Sequence, residues 1–346
     1  MSAPACIDPL RYPFEPPPPG GAVAAAEGVL WLRLPLPMAL DHVNLYALDD
    51  GDGWTLIDAG LSWGKGREAL AALRAGPLGG RPVRRLILTH HHPDHVGMAA
   101  TLVADGAELW ATRTAWLFAR MLTLDHQDRP SPQALAFYAA AGWPPERLAA
   151  YAAAEPFNFS RVVQKLPPGF RALAEGDVLT MGGRRWRVRL GGGHAPDHAT
   201  FWAEDGGLVL TGDQALPRIS PNVGVYPTEP EADPLSDWLE SCARLGALAD
   251  DAALALPGHQ RPFHGLATRL DAIAREHMEG LAALRRLLRA PATAVQCFPA
   301  LYRRAIGDGE IGLATAETVA HLNHLARRGE ATWETRADGA RLWRLV

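Results

Sequence analysis

Cysteine is scarce in this chain. Cys6, Cys242 and Cys297 are scattered, odd in number and never in C-x-x-C spacing, which argues against a disulfide framework. Lysine is scarcer still, with only Lys65 and Lys165, and arginine supplies the other basic residues. That skew reflects genomic base composition and carries no functional content. An excess of positive charge is missing too: 34 Lys and Arg stand against 38 Asp and Glu, a formal net charge of -4. The balance argues against non-specific binding of the whole chain to nucleic acid or to a membrane surface. No run approaches eighteen uninterrupted apolar residues, and the start (MSAPACIDPLRYPFEPPPPGG) has neither a basic n-region nor an apolar h-region. A cytoplasmic protein is therefore expected. There are no internal repeats. What remains, 346 residues with 48% hydrophobic and 21% charged, is ordinary globular composition, enough for one large domain plus a small one.

The stretch that organises the chain is LILTHHHPDHVG, residues 86–97. Its apolar lead-in (Leu86, Ile87, Leu88) and small-residue exit (Gly97 to Ala100) predict a buried strand, a polar loop and a helix starting near Val96. His90, His92, Asp94 and His95 fall within six residues at that strand's end. They cannot all face one metal. Alternate spacing sends His90 and His92 one way, while Asp94 and His95 turn the other way with the helix. Imidazole and carboxylate suit zinc or iron, and two-metal hydrolases hold their ions about 3.5–4 Å apart, so two adjacent ions are the natural reading.

This H-x-H-x-D-H pattern resembles the signature of the metallo-β-lactamase superfamily. The resemblance implies an α/β fold, an αββα sandwich with its metal site along one sheet edge, and three further ligands downstream. GGGHAPDH, residues 191–198, resembles the family's G-H-x-x-G-H loop and would supply His194. Asp197 stands there where glycine is usual, which leaves the turn in question, and His198 is expected behind the ligands or facing substrate. Thr211-Gly212-Asp213 matches the bridging aspartate, and Pro257-Gly258-His259 the last imidazole. Asp58, after the strand 54–57, resembles the strand-end aspartate that orients the metal loop from behind; capping the next helix is the simpler alternative. The implied assignment gives His90, His92 and His194 to one ion, Asp94, His95 and His259 to the other, and Asp213 to both. Two divalent ions are expected, zinc first, with iron or manganese compatible with the same donors.

The rest of the chain reads around that site. Strands are expected at 29–34, 43–48, 54–57, 84–89, 108–111, 177–181, 186–190, 208–210 and 253–256. Helices are expected at 63–75, 113–124 and 235–245. Residues 122–163 read as a helical insertion, with helices at 133–141 and 145–154 and many aromatics, serving either as packing or as a lid. His126 and Asp128 are polar candidates on it. Residues 214–230, rich in Pro and Gly, should border the mouth, with Asn222 and Tyr226 as candidate substrate contacts. The catalytic part is expected to span 1–264. Beyond it, a long amphipathic helix at 266–288, helices at 298–306 and 315–328 (the latter capped by Thr315), and a hairpin at 331–335 and 341–345 resemble a small winged-helix-like domain, 265–346. Such domains are appended to one branch of the superfamily. A packing or dimerising role, with a homodimer as the partner, is the favoured use of it.

These features imply metal-assisted hydrolysis. Water between two cations loses its proton near neutral pH and attacks a carbonyl, with Asp94 and Asp213 as the catalytic carboxylates. A small-molecule thioester, ester or lactone is the expected substrate, of acyl-CoA or glutathione type. The alternatives are a metal-dependent ribonuclease or phosphodiesterase, a DNA-binding regulator with a ligand-sensing metal domain, and an oxidoreductase of the persulfide dioxygenase type. Nucleic acid and membrane are not expected partners.

Overall fold

The computed structural model describes residues 10–346. Two sheets lie face to face. The first holds seven strands in sequential order: β1 (Ala22–Ala26), β2 (Val29–Pro35), β3 (His42–Asp49), β4 (Trp54–Ile57), β5 (Val83–Ile87), β6 (Glu108–Thr112) and β7 (Arg171–Leu173). The second holds β8 (Val178–Met181), β9 (Arg184–Gly191), β10 (His198–Ala203), β11 (Leu208–Gly212), β12 (Leu254–Pro257) and β13 (Phe263–His264), again as sequence neighbours. Between the sheets, Trp31, Tyr46, Ile57 and Ile87 from the first pack against Trp186, Val188, Phe201, Leu210 and Leu256 from the second. Because side chains alternate along a strand, the intervening Leu32, Leu45, Leu56 and Leu86 face outward. They bury the apolar faces of α1 (Gly64–Ala75), α2 (Pro93–Val96) and α3 (Ala99–Ala104). This is an α/β sandwich of the αββα kind.

The helical segment after β6 contains α4 (Arg113–Leu124), α5 (Pro132–Ala140) and α6 (Pro145–Ala153). Ser131 caps α5, accepting from the Ala134 amide, and the Pro at its first turn costs no hydrogen bond. Several aromatics of this insertion go to packing, Phe157 staying exposed: Tyr138 stacks on Trp143 at 4.2 Å, and Trp143 Nε1 donates to Thr315 Oγ1 at 3.0 Å. On the outer face of the second sheet lie α7 (Pro234–Gly246) and α8 (Leu266–Leu287), followed by α9 (Phe298–Leu301), α10 (Ile311–Arg327) and a hairpin of β14 (Ala331–Thr335) and β15 (Arg341–Leu345). Val209, Ala255 and Phe263 of that sheet share one apolar cluster with Trp238 of α7, Leu281 of α8, Leu322 of α10 and Trp343 of β15.

Two expectations about the C-terminal part need correction. The helix expected at 298–306 ends at Leu301. Thr315 does not cap α10, which starts four residues earlier; its hydroxyl donates back to the Ile311 carbonyl at 2.7 Å inside the helix. A Ser or Thr that back-bonds in this way looks like a cap in sequence. The Pro-rich start runs over β13, with Leu10 buried and Arg11 bridged to His264. Residues 1–9, Cys6 included, lie outside the described residues.

Candidate metal centre

Strand direction explains why distant ligands meet. β4 and β5 run parallel, as do β11 and β12, and β9 is antiparallel to β10, which is antiparallel to β11. The C-terminal ends of β9, β11 and β12 therefore lie on one side, and the carboxyl end of a sheet is where α/β folds place their ligands. Asp58 follows β4, His90 to His95 follow β5, His194 follows β9, Asp213 follows β11 and His259 follows β12.

Three clusters of donor atoms result, each within 4.8 Å: His90 with His92 and His194; Asp94 with His95 and His259; and His90 with His95 and Asp213. Asp213 is central. Its Oδ2 lies 3.3 Å from His259 Nε2, 3.5 Å from His95 Nε2 and 3.6 Å from His194 Nε2. Asp94 Oδ2 lies 3.3 Å from His259 Nε2. All seven expected ligand positions thus converge.

The outer hydrogen bonds fix which ring nitrogen faces inward. His194 Nδ1 donates to the Asn222 carbonyl at 2.9 Å and His259 Nδ1 to the His42 carbonyl at 2.8 Å. A carbonyl only accepts, so Nδ1 carries the proton and Nε2 presents its lone pair. His95 Nδ1 bonds Asp58 Oδ2 at 2.8 Å, and the same carboxylate receives the Thr89 amide (2.8 Å) and hydroxyl (2.9 Å). Thr89 Oγ1, having spent its proton on Asp58, accepts from His90 Nδ1 at 2.9 Å. Asp58 thus stands behind two ligands at once, in a left-handed conformation (φ 65°) that Asp tolerates better than most residues.

The residues fit metal ions. His90 Nε2, His95 Nε2, His194 Nε2 and Asp213 Oδ1 are buried with no hydrogen-bond partner among the described residues, although buried polar atoms are nearly always paired. In the metal-free protein, burial works against charge on His95 and His259. The carboxylates of Asp213 and Asp94 outweigh it, pushing His95 well up and His259 up to about 10. Asp213 is itself held well below the usual range, burial being outweighed by His259 and His95. A field that attracts protons so strongly is one that divalent cations would neutralise. Gly258 is required for the close approach: a Cβ there would stand 2.2 Å from Asp213 Oδ1.

The remaining expected residues separate. His198 is fully buried and cannot face substrate; its Nε2 accepts the Asp213 amide at 3.1 Å, and burial keeps the ring neutral by lowering it to about 3. Asp197 keeps the turn that glycine would make, at φ 49°, and its carboxylate accepts from Thr114. Tyr226 lines a cavity of about 470 Å³ beside His92 and His194. Asn222 does not line it: the backbone carbonyl holds His194, while the side chain donates to Leu313 O and Glu317 Oε2. His126 bonds Ser160 and faces Asp128 at 3.7 Å, half exposed and away from that cavity. Sequence reasoning missed His91, Phe118, Glu229, Asp237 and Arg327 on the cavity wall. His91 sat inside the signature as its unread position; its Nδ1 is buried without a partner among the described residues. The others carry no local signal.

Comparisons with known proteins agree with the geometry. Residues 38–259 match the family model for the metallo-beta-lactamase superfamily, and residues 281–345 match that for the metallo-beta-lactamase-like C-terminal domain. The chain is 29% identical over 327 residues to the "Probable metallo-hydrolase YqjP" of Bacillus subtilis (strain 168), covering 89% of this chain and 96% of that protein. Among solved structures, a beta-lactamase domain protein from Burkholderia ambifaria is 35% identical with a TM-score of 0.89, covering 97% of this chain and 98% of that one. A metallo-beta-lactamase family protein from Thermus thermophilus is 30% identical with a TM-score of 0.76, covering 93% and 99% respectively.

Proposed function

The chain belongs to the metallo-β-lactamase superfamily, and from that premise we propose that it is a two-metal hydrolase of a carbonyl substrate, a thioester, ester or lactone. The observation that carries this reading is the position of Asp213 Oδ2, within 3.6 Å of imidazoles from both ligand trios. One carboxylate so placed belongs to a centre built for two ions. Two divalent ions bound there, zinc first among the candidates, would acidify water and polarise the substrate oxygen.

The chain's own groups do the rest. Five histidines would hold the ions, four of them (His90, His95, His194 and His259) oriented from behind so that Nε2 faces inward, and Asp58 keeps two of those rings from turning. Asp94, a half-buried carboxylate held low mainly by His95 once burial is outweighed, would take the proton that the attacking water gives up. The trios hold only histidine and aspartate. A thiolate leaving group needs little acid assistance, which suits a site with no separate general acid. His91, neutral because burial lowers it to about 3, is on the wall to contact substrate.

The cavity wall helps choose the substrate. Glu229, Asp233 and Asp237 line it against a single guanidinium, Arg327. Three carboxylates repel a phosphodiester chain, so RNA falls behind carbonyl compounds. The same charge opposes the polyphosphate handle of an acyl-CoA at this wall more than the smaller charge of a glutathione thioester, and does not oppose an uncharged lactone. The test is a hydrolysis screen on metal-replete protein with Asp213→Ala as control. It sets acyl-glutathione and acyl-CoA thioesters and lactones against single-stranded RNA and a bis-phosphodiester. Thioester or lactone turnover lost in the variant supports the proposal. RNA cleavage lost in the variant, with the carbonyl substrates inert, overturns it.

A further inference from the structure

Four ligand imidazoles have a hydrogen-bonded Nδ1, and three of their partners belong to the sandwich: Thr89 for His90, Asp58 for His95 and the His42 carbonyl for His259. The fourth does not. The Asn222 carbonyl that holds His194 sits on a segment without regular structure, residues 213–233, between β11 and α7. That segment is pinned by the C-terminal helices. The Val225 amide donates to the Ala316 carbonyl at 3.0 Å, and Asn222 Nδ2 donates to Glu317 Oε2 at 3.2 Å and to Leu313 O at 3.3 Å, all on α10. On α8, His277 Nε2 meets Ser220 Oγ at 3.2 Å and Arg269 donates to the Leu216 and Ile219 carbonyls. Val223 and Val225 are buried in the apolar cluster that α10 shares.

Glu317 is the costly part of this arrangement. Its Oε2 also accepts the Tyr302 hydroxyl at 3.2 Å, and no cationic partner is recorded for it among the described residues. Burial raises it to about 7. A carboxyl kept in such surroundings is expensive, and an apolar residue would pack there at less cost. What it does in return is receive the side chain of the residue whose backbone orients His194.

We propose that Glu317 is a positioning residue for His194, acting through Asn222, so that α10 controls metal affinity at the His90/His92/His194 half of the centre and not at the Asp94/His95/His259 half. The proposal rests on reading the two trios as a two-ion site. It gives the C-terminal module a task in the chemistry, since a ligand's outer partner tunes both its orientation and its basicity.

The test measures zinc affinity, by competition with a chromophoric chelator, in full-length protein with one half of the site removed. His259→Ala leaves the three-histidine half and His92→Ala leaves the other. Adding Glu317→Ala should weaken zinc about 10- to 100-fold in the His259→Ala background, and less than about twofold in the His92→Ala background, since that half shares no partner with Glu317. Glu317→Gln, whose amide oxygen still accepts from Asn222 and Tyr302, should restore the affinity. Should Glu317→Ala disturb folding by circular dichroism, Gly224→Ala serves instead. Its Cβ would stand 3.0 Å from the Ala316 Cβ and 2.8 Å from Asn222 Oδ1, prising the segment from α10 without removing a charge. Equal weakening in both backgrounds, or none in either, overturns the proposal. Wild-type protein that binds fewer than two ions overturns the two-ion reading itself, a failure visible before any variant is made.

Discussion

His95 and His194 both present Nε2 to the same carboxylate, at 3.5 and 3.6 Å, yet they are held in opposite ways. His95 is anchored by Asp58, a buried side chain at the end of a neighbouring parallel strand, whose position follows from the sheet. His194 is anchored by a backbone carbonyl on an irregular segment, whose position follows from whatever presses on it. The first kind of support is stiff because two paired strands set the spacing. The second is conditional, because a segment without its own ladder takes its shape from tertiary contacts. One centre can therefore be rigid on one side and dependent on a remote module on the other.

The largest effect expected is one that abolishes the distinction. Asp213→Ala removes the group common to both halves and should cost about three orders of magnitude in kcat/KM on whichever substrate the screen finds, with bound metal falling below two ions. Retention of both ions and of turnover would mean that Asp213 bridges nothing. Next, Asp58→Asn tests the stiff side alone. It keeps a residue tolerant of positive φ but removes the charge behind His95, so zinc affinity should fall about 10- to 100-fold, measured by chelator competition, and most where His95 is a ligand. A third test concerns the conditional side and needs no metal. Glu317 is raised from an ordinary 4.5 to about 7 by burial, so the folded state holds its proton more tightly than the unfolded chain. Stability from this group is present below about pH 4.5 and is lost as pH rises towards 7. Glu317→Gln should therefore flatten the decline in urea midpoint of the apo protein across that window, and an unchanged slope would count against a carboxyl raised by its surroundings. The smallest effect belongs to His126, which serves neither side. His126→Ala should shift stability by no more than about 0.5 kcal/mol and leave KM within about twofold, read from thermal unfolding and steady-state kinetics.

Most of the fold was legible because its signals are local. The strand at Trp54–Ile57 and both strands of the terminal hairpin lie where alternation and turn residues put them, and the insertion's helices match within a residue or so at each end. The strands missed include β1, β7 and β13, β7 and β13 being three and two residues long and defined by pairing alone, and β1 an alanine-rich run (AVAAA) with no β-branched or aromatic alternation beyond its one valine. His90, His92, Asp94 and His95 stood out as one cluster at the end of an apolar strand, His194, Asp213 and His259 could be placed because their loops resemble the family's, and the turn at Asp197 was left open because its φ depends on what the loop packs against. Asn222 was singled out for the wrong atom: its side chain was expected at the substrate, and its carbonyl is what serves the centre.

The sequence by itself marked the candidate ligands, since the cluster at 90–95 and the loops that resemble the family's at 194, 213 and 259 are properties of short stretches. It also pointed to Asp58 as a residue behind the metal loop, through the same resemblance and with helix capping left open, but the structure decided that its partner is His95. Tertiary structure alone decided what holds His194, what lines the cavity and what the C-terminal helices do. A backbone carbonyl has no identity in sequence, and its direction is set by how residues 213–233 lie against α10. Glu317 stands 95 positions from Asn222 along the chain, and only packing brings them together.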